Sequence, residues 1–344
     1  MFLKIGEINN IIHNYEITLD YIIAVVGNSK ESHLKIFDKS LKVQKDLQKY
    51  SAYDFINVDK YIIFTSNNAD FSYAYQKSDE RILKLPYILH IKGEKIDEQY
   101  LCYSQYEGKE CYLLISLDSL EINKIFNIAI GFGNVNHIVG NMFISTKRHL
   151  GIFALFDLSN KLRWQANLGE LGSYEDWRGK HKGEIHNLYY YRDTILVNSG
   201  PFIFCFSLNN GELLWSLRSN IEARFYSMVI NKNKAYLLQN QNYTVIDIVN
   251  GIFIIEKKID TFQYQGKEVF FDAHGEPVYN QGFIWSSLYS GGVSFVCAIE
   301  PSTGDVVWVQ HLESGYKIES IKFNNNQMYI LDTGGTLNIL ENIN

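Results

Sequence analysis

The sequence predicts an all-β protein: an eight-bladed β-propeller of four-stranded antiparallel blades, closed by its own N-terminal strand. Three observations carry this expectation. First, 24 Tyr, 21 Phe and 24 Gly but only 4 Pro stand among 344 residues, and aromatic side chains favour a pleated, half-buried surface. Second, one two-strand unit recurs about every 41 residues, a spacing typical of radial or solenoidal repeats. Third, the last repeat lacks its closing strand, while an unpartnered strand-like segment, FLKIGEI at Phe2–Ile8, opens the chain.

The recurring unit is a short apolar strand ending in an acidic or polar residue, a tight turn, and a second apolar strand. Its markers are Asp38, Gln76, Asp118, Asp157, Ser207, Asp247, Glu300 and Glu341. Gln76 belongs to a degenerate copy, FSYAYQKSDERILKL, and seven blades would remain if residues 50–85 were an irregular excursion. A further strand pair precedes each unit, as in EIHNLYYY from Glu184 and TILVNSG from Thr194. Four strands per period, separated by Asn, Gly, Asp and Ser turns, make one antiparallel blade. The whole chain, 1–344, therefore reads as a single propeller domain. Residues 1–8 serve as a latch strand that completes the last blade and covers its open edge.

The clearest copies of the unit are AIEPSTGDVVW from Ala298 to Trp308 and FSLNNGELLW from Phe206 to Trp215. A third, IFALFDLSNKLRW, runs from Ile152 to Trp164. Gly211 and Gly304 allow the sharp turn. Trp164, Trp215 and Trp308 are large planar groups suited to the wedge between diverging sheets. These copies resemble the pyrroloquinoline-quinone-like (PQQ-like) β-propeller repeat, in which an apolar strand, Asp and a Thr-Gly turn lead into a strand ending in Trp. Glu300 and Ser207 stand where that repeat has Asp, and several copies replace Trp by Ile or Phe. The resemblance implies an eight-bladed ring with Trp164, Trp215 and Trp308 packed between neighbouring blades. Dehydrogenases of the wider family use an Asp base and a calcium site around the quinone. No residue here matches those roles, so the resemblance implies a cofactor-free member, with no quinone expected.

Composition excludes several function classes. A formal charge of −6 disfavours a polyanionic partner, and the densest basic cluster, Lys180 to Lys182, lies among acids. Nucleic acid is therefore not an expected partner. Cys102, Cys111, Cys205 and Cys297 form no CxxC pair. The N-terminus lacks a signal-peptide pattern, and no run is long and apolar enough for a membrane helix, so a cytoplasmic protein is expected. His137, His181 and His186 form no motif with a defined metal role, and no metal is assigned. Neither a nucleophile elbow nor a phosphate loop occurs, and Glu175/Asp176 cannot be read as catalytic carboxylates without a distance. An enzyme is disfavoured.

What remains is protein recognition by an intracellular scaffold. A bacterial immunity protein that neutralises a cognate toxin is one form of it. An assembly factor, or a hydrolase acting on a glycan or small molecule at the axial mouth, is the alternative. The period lengthens to 50 between Asp157 and Ser207 and to 53 between Asp247 and Glu300. The extra residues fall in 169–183 and 260–275, between the outer strand of one blade and the inner strand of the next, so both insertions should share one face about one blade apart. Trp177, Arg178, His181 and Lys182 are the expected contacts from the first, and Tyr264, Lys267 and Phe271 from the second, types favoured at interface hot spots.

Overall fold

The structure is a computed structural model. It describes residues 2–343 except 29, 67–70, 97, 128–133, 140–141, 158, 160, 177–178 and 222–223, and leaves out the side chains at 13, 90–94, 96, 110, 127 and 134–139. Eight four-stranded antiparallel sheets form the ring. Blades 1 to 7 take their strands in chain order from residues 11–51, 54–84, 88–127, 134–167, 187–218, 228–258 and 273–312. Blade 8 joins residues 318–342 to Phe2–Ile8. Residues 54–84 form a true blade, so the seven-blade alternative falls. The first strand of each blade is innermost and touches its counterpart next door, as Ala273–Asn280 does Ile318–Asn324.

Radial position explains the sequence pattern. Second and third strands have neighbouring blades on both faces, so they read as nearly unbroken apolar runs: Tyr21–Gly27, YIIAVVG, is buried at all but its ends. Outer strands such as Leu213–Arg218 alternate between half-buried and exposed residues because the blades diverge. A buried serine at the start of a third strand ties down the connection to the next blade. Ser32 Oγ donates to the Ala52 carbonyl at 2.7 Å and Ser294 Oγ to that of Tyr316 at 2.5 Å, while Ser72 Oγ accepts the Leu89 N–H at 2.8 Å. A buried hydroxyl needs such a partner.

The repeat markers are turn caps. Asp38 accepts the backbone N–H groups of Ser40 and Lys42, and Asp157 those of Ser159 and Lys161, all at 2.8–3.0 Å. Asp247 accepts those of Val249 and Asn250. Bonds from the Ser159 side chain and then the Lys161 N–H hold Asp157 down to about 2. Asp38 and Asp247 lie below the usual range, chiefly through the Ser40 and Asn250 side chains.

Neighbouring blades are locked by tryptophan over glycine. Trp164 of blade 4 lies on Gly211 of blade 5, and its Nε1–H donates to the Leu208 carbonyl at 2.7 Å. Trp215 of blade 5 repeats this on Gly251 of blade 6, donating to the Ile248 carbonyl at 3.0 Å. Both glycines have positive φ, and a Cβ on either would strike the indole. The locks vary elsewhere. Tyr243 of blade 6 covers Gly304 of blade 7 and donates to the Pro301 carbonyl at 2.9 Å. Trp308 instead meets Phe2 and the buried Trp285, with ring centroids 5.6 and 5.4 Å away. Trp164, Trp215 and Trp308 all sit between blades but are half-buried, not enclosed, because the wedge widens outward.

Closure follows the expected latch. Phe2–Ile8 pairs antiparallel with Leu337–Asn342, from Phe2 opposite Asn342 to Ile8 opposite Leu337. Here the lock is reversed. Gly6 pairs with Ile339 beside a bulge, the register position held by Trp164, Trp215 and Trp308 in their own blades. Leu41, at φ 65° in the facing turn of blade 1, fills the space that a side chain at Gly6 would occupy.

Replacing Trp215 by Ala is expected to cost about 3 kcal/mol in urea unfolding, the low end for a large aromatic because the indole is half-buried. A cost under about 1 kcal/mol would show that the indole is no lock. Removing residues 1–8 should lower the melting temperature markedly and cause concentration-dependent association, because the Leu337–Asn342 edge is bared. Asp157 has a depressed folded pKa, so its contribution is complete above the ordinary carboxylate value near ~4 and is lost as pH falls through about 2. Asp157→Asn should therefore lessen the drop in melting temperature over that window.

Candidate functional site

In an antiparallel blade, the connections from outer strand to next inner strand emerge on the same face as the turns between second and third strands. Both long connections carry a two-stranded ribbon there: Tyr174–Asp176 with Gly179–His181, between blades 4 and 5, and Thr261–Tyr264 with Lys267–Phe270, between blades 6 and 7. The insertions fall where the lengthened periods put them. They are separated by blades 5 and 6, two blades and not one.

The first ribbon is pinned by charge and ring stacking. His181 Nε2 lies 2.8 Å from Asp176 Oδ1, and its ring stacks on Tyr174 at 4.7 Å and 16°. Arg224, from the connection between blades 5 and 6, pairs with Asp176 and lies over the Tyr174 ring at 5.7 Å. Tyr174 in turn rests on Gly200, whose positive φ and missing Cβ leave room for it. His181 is thus a positioning group within the ribbon, not a free donor. Lys180 and Lys182 are exposed, and Trp177 and Arg178 lie outside the described residues.

The second ribbon is pinned by apolar contact. Phe262 and Phe271 are 5% and 0% exposed, and the half-buried Tyr264 meets Phe295 of blade 7 at 5.2 Å. Phe271 is therefore a core residue, a correction to its expected contact role. Strand alternation turns its neighbour Phe270 outward, 52% exposed. Lys267 at the ribbon tip is exposed. The register follows from the Gln265–Gly266 turn, where both residues have positive φ. Phe270 was the residue to find, and only that register reveals it.

The axial wall is occupied with its own bonding. Asn14 Nδ2 donates to Asp54 Oδ1 at 2.8 Å, Asn57 Nδ2 to Glu16 Oε1 at 2.7 Å, and Lys322 Nζ to the Tyr15 carbonyl at 2.8 Å. Glu16 and Asp54 thereby serve to join adjacent blades. His186 packs against Tyr226 at 4.8 Å, and burial lowers its pKa, with Glu184 opposing and Arg148 assisting. The His137 side chain lies outside the described residues. Among the described residues no three His, Cys, Asp or Glu side chains are grouped to hold a metal ion. All four cysteines are buried thiols, and burial raises Cys205 to about 11 and Cys297 to about 12. Among the described residues no helix is long and apolar enough to cross a membrane.

Solved structures share this ring. BamB from Moraxella catarrhalis aligns over 99% of this chain and 100% of its own, with TM-score 0.64 and 9% identity. The computationally designed Ika8 protein aligns over 98% of both chains, with TM-score 0.65 and 10% identity. Dihydro-heme d1 dehydrogenase NirN aligns over 96% of this chain and 73% of its own, with TM-score 0.61 and 10% identity. Identities this low show a common fold alone. Neither a sequence-family profile nor a curated protein matches the sequence.

Asp176→Ala should release the first ribbon while sparing the ring. Amide exchange in 174–181 is expected to accelerate, with global stability changed by no more than about 1 kcal/mol, the scale of a partly exposed ion pair. A cooperative loss of the whole ring would show that the pair is structural throughout.

Proposed function

We propose that this chain is a cofactor-free protein-recognition scaffold on a PQQ-like, BamB-like propeller, and that the ribbon-bearing face holds its partner. One observation supports this most. Two ribbons have been added to the same face of a ring that already closes without them, and each is held in place by contacts to the blade beneath. Rigid scaffolds that carry their variable chemistry on loops are suited to recognition. Phe270 and Lys267 on the second ribbon, with Lys180 and Lys182 on the first, offer an aromatic anchor among charges. Trp177 and Arg178 join them as the sequence's own candidates. The partner is a protein, and a cognate toxin is the form to test first.

The test is capture from native lysate with variants on both faces. Phe270→Ser and Trp177→Ala should each weaken capture at least about tenfold, the effect of a modest hot spot, with little change in melting temperature. Leu19→Ser, in a turn on the opposite face and 74% exposed, should leave capture intact. The opposite pattern would refute the assignment.

A further inference from the structure

The reversed lock at the closing seam has a consequence for the N-terminal strand. Trp164 and Trp215 clamp the outer strands of blades 4 and 5 onto the next blade. Phe2–Ile8 has Gly6 at that position, and only Ile8, at its end, packs into the core it shares with blade 1. Two hollows lie against it instead, on either side of Leu41. One, of about 310 Å³, is lined by Glu7, Ile8, His33, Lys35 and Phe37, and the other, of about 80 Å³, by Ile5, Ile22 and Tyr329.

The strand buries only its ends, Phe2 and Ile8, while Leu3 and Ile5 are 57% and 46% exposed. Its tether is equally slight. Asn9 and Asn10 alone join it to blade 1, and Asn10 is held at φ 62°, a left-handed conformation that an extended link would relax. The inner side of the seam is well bonded, with Ile11 N–H on the Gly335 carbonyl, Lys322 Nζ on the Tyr15 carbonyl and Asn324 Nδ2 on the Thr18 carbonyl, all at 2.8 Å. Blade 8 therefore stays in the ring while its outermost strand is the part free to leave.

We propose that Phe2–Ile8 is an exchangeable strand, and that the Leu337–Asn342 edge it covers accepts the same segment from a second copy of this chain. The occupant fits because its sequence and register are those of the resident strand. Short hinges under strain favour such swapping, and an identical element serves either ring.

Register makes the exchange measurable, since Leu3 lies opposite Glu341. A Leu3→Cys copy would be incubated with a Glu341→Cys copy and then oxidised mildly; the four native thiols are buried. A disulfide-linked heterodimer should exceed, by about fivefold or more, that formed by Leu3→Cys with Asn210→Cys, a collision control on blade 5. Restoring the lock with Gly6→Trp/Leu41→Gly in both copies should suppress the heterodimer, and Asn10→Gly, which relieves the hinge without touching the seam, should reduce it. A yield no greater than the collision control would overturn the proposal. So would undiminished exchange in a folded Gly6→Trp/Leu41→Gly pair or, should that pair fail to fold, in the Asn10→Gly pair.

Discussion

The ring depends on a pairing between its two ends. Seven blades are each built from consecutive strands, so their hydrogen bonds are made within one short stretch of chain. Blade 8 is not: its outer strand comes from residues 2–8 and its neighbour from 337–342. That one ladder joins the sequence termini and converts an arc of sheets into a closed structure. The core on either side relies on it, since Ile8 packs with Ile11, Tyr15 and Tyr329, and Phe2 with Trp285 and Trp308.

Between blades, the same mechanical problem receives several chemical solutions. Diverging sheets leave a wedge that must be filled without burying an unpaired donor. Trp164 and Trp215 do this with an indole whose N–H reaches a turn carbonyl, and Tyr243 does it with a phenol from the adjacent strand. At the seam, bulk and void are exchanged between strand and turn. Each solution fills the wedge with a different side chain, so a ring of similar shape can be built from sequences only 9% identical.

Much of this was legible in the sequence. Turn caps such as Asp38, Asp157 and Asp247 mark a period, and a period plus an unmatched first strand specifies a closed ring. The insertions were visible as departures from the same period. Residue-level burial was less accessible. Phe270 and Phe271 are adjacent and chemically identical, and only the ribbon register, set by the Gln265–Gly266 turn, decides which faces solvent. Trp285 carries no sequence signal of its role because its strand has no repeat marker, and Tyr243, although its strand ends in the marker Asp247, stands where no Trp copy of the repeat points to a lock. His181 looked available because no local pattern shows that Asp176 holds it, or that Arg224, 43 residues further along the chain, pairs with the same carboxylate.

The serine tethers bear on how this architecture changes over time. Ser32, Ser72 and Ser294 each anchor the chain just where it departs for the next blade. Chain beyond such an anchor is mechanically isolated from the sheet behind it. Added residues there leave every strand register untouched, and their entropic cost rises only with the logarithm of length. Connections of this kind are sites where a gene can gain or lose segments in single steps, each variant still folding, so new surfaces can be sampled far faster than the ring itself can evolve.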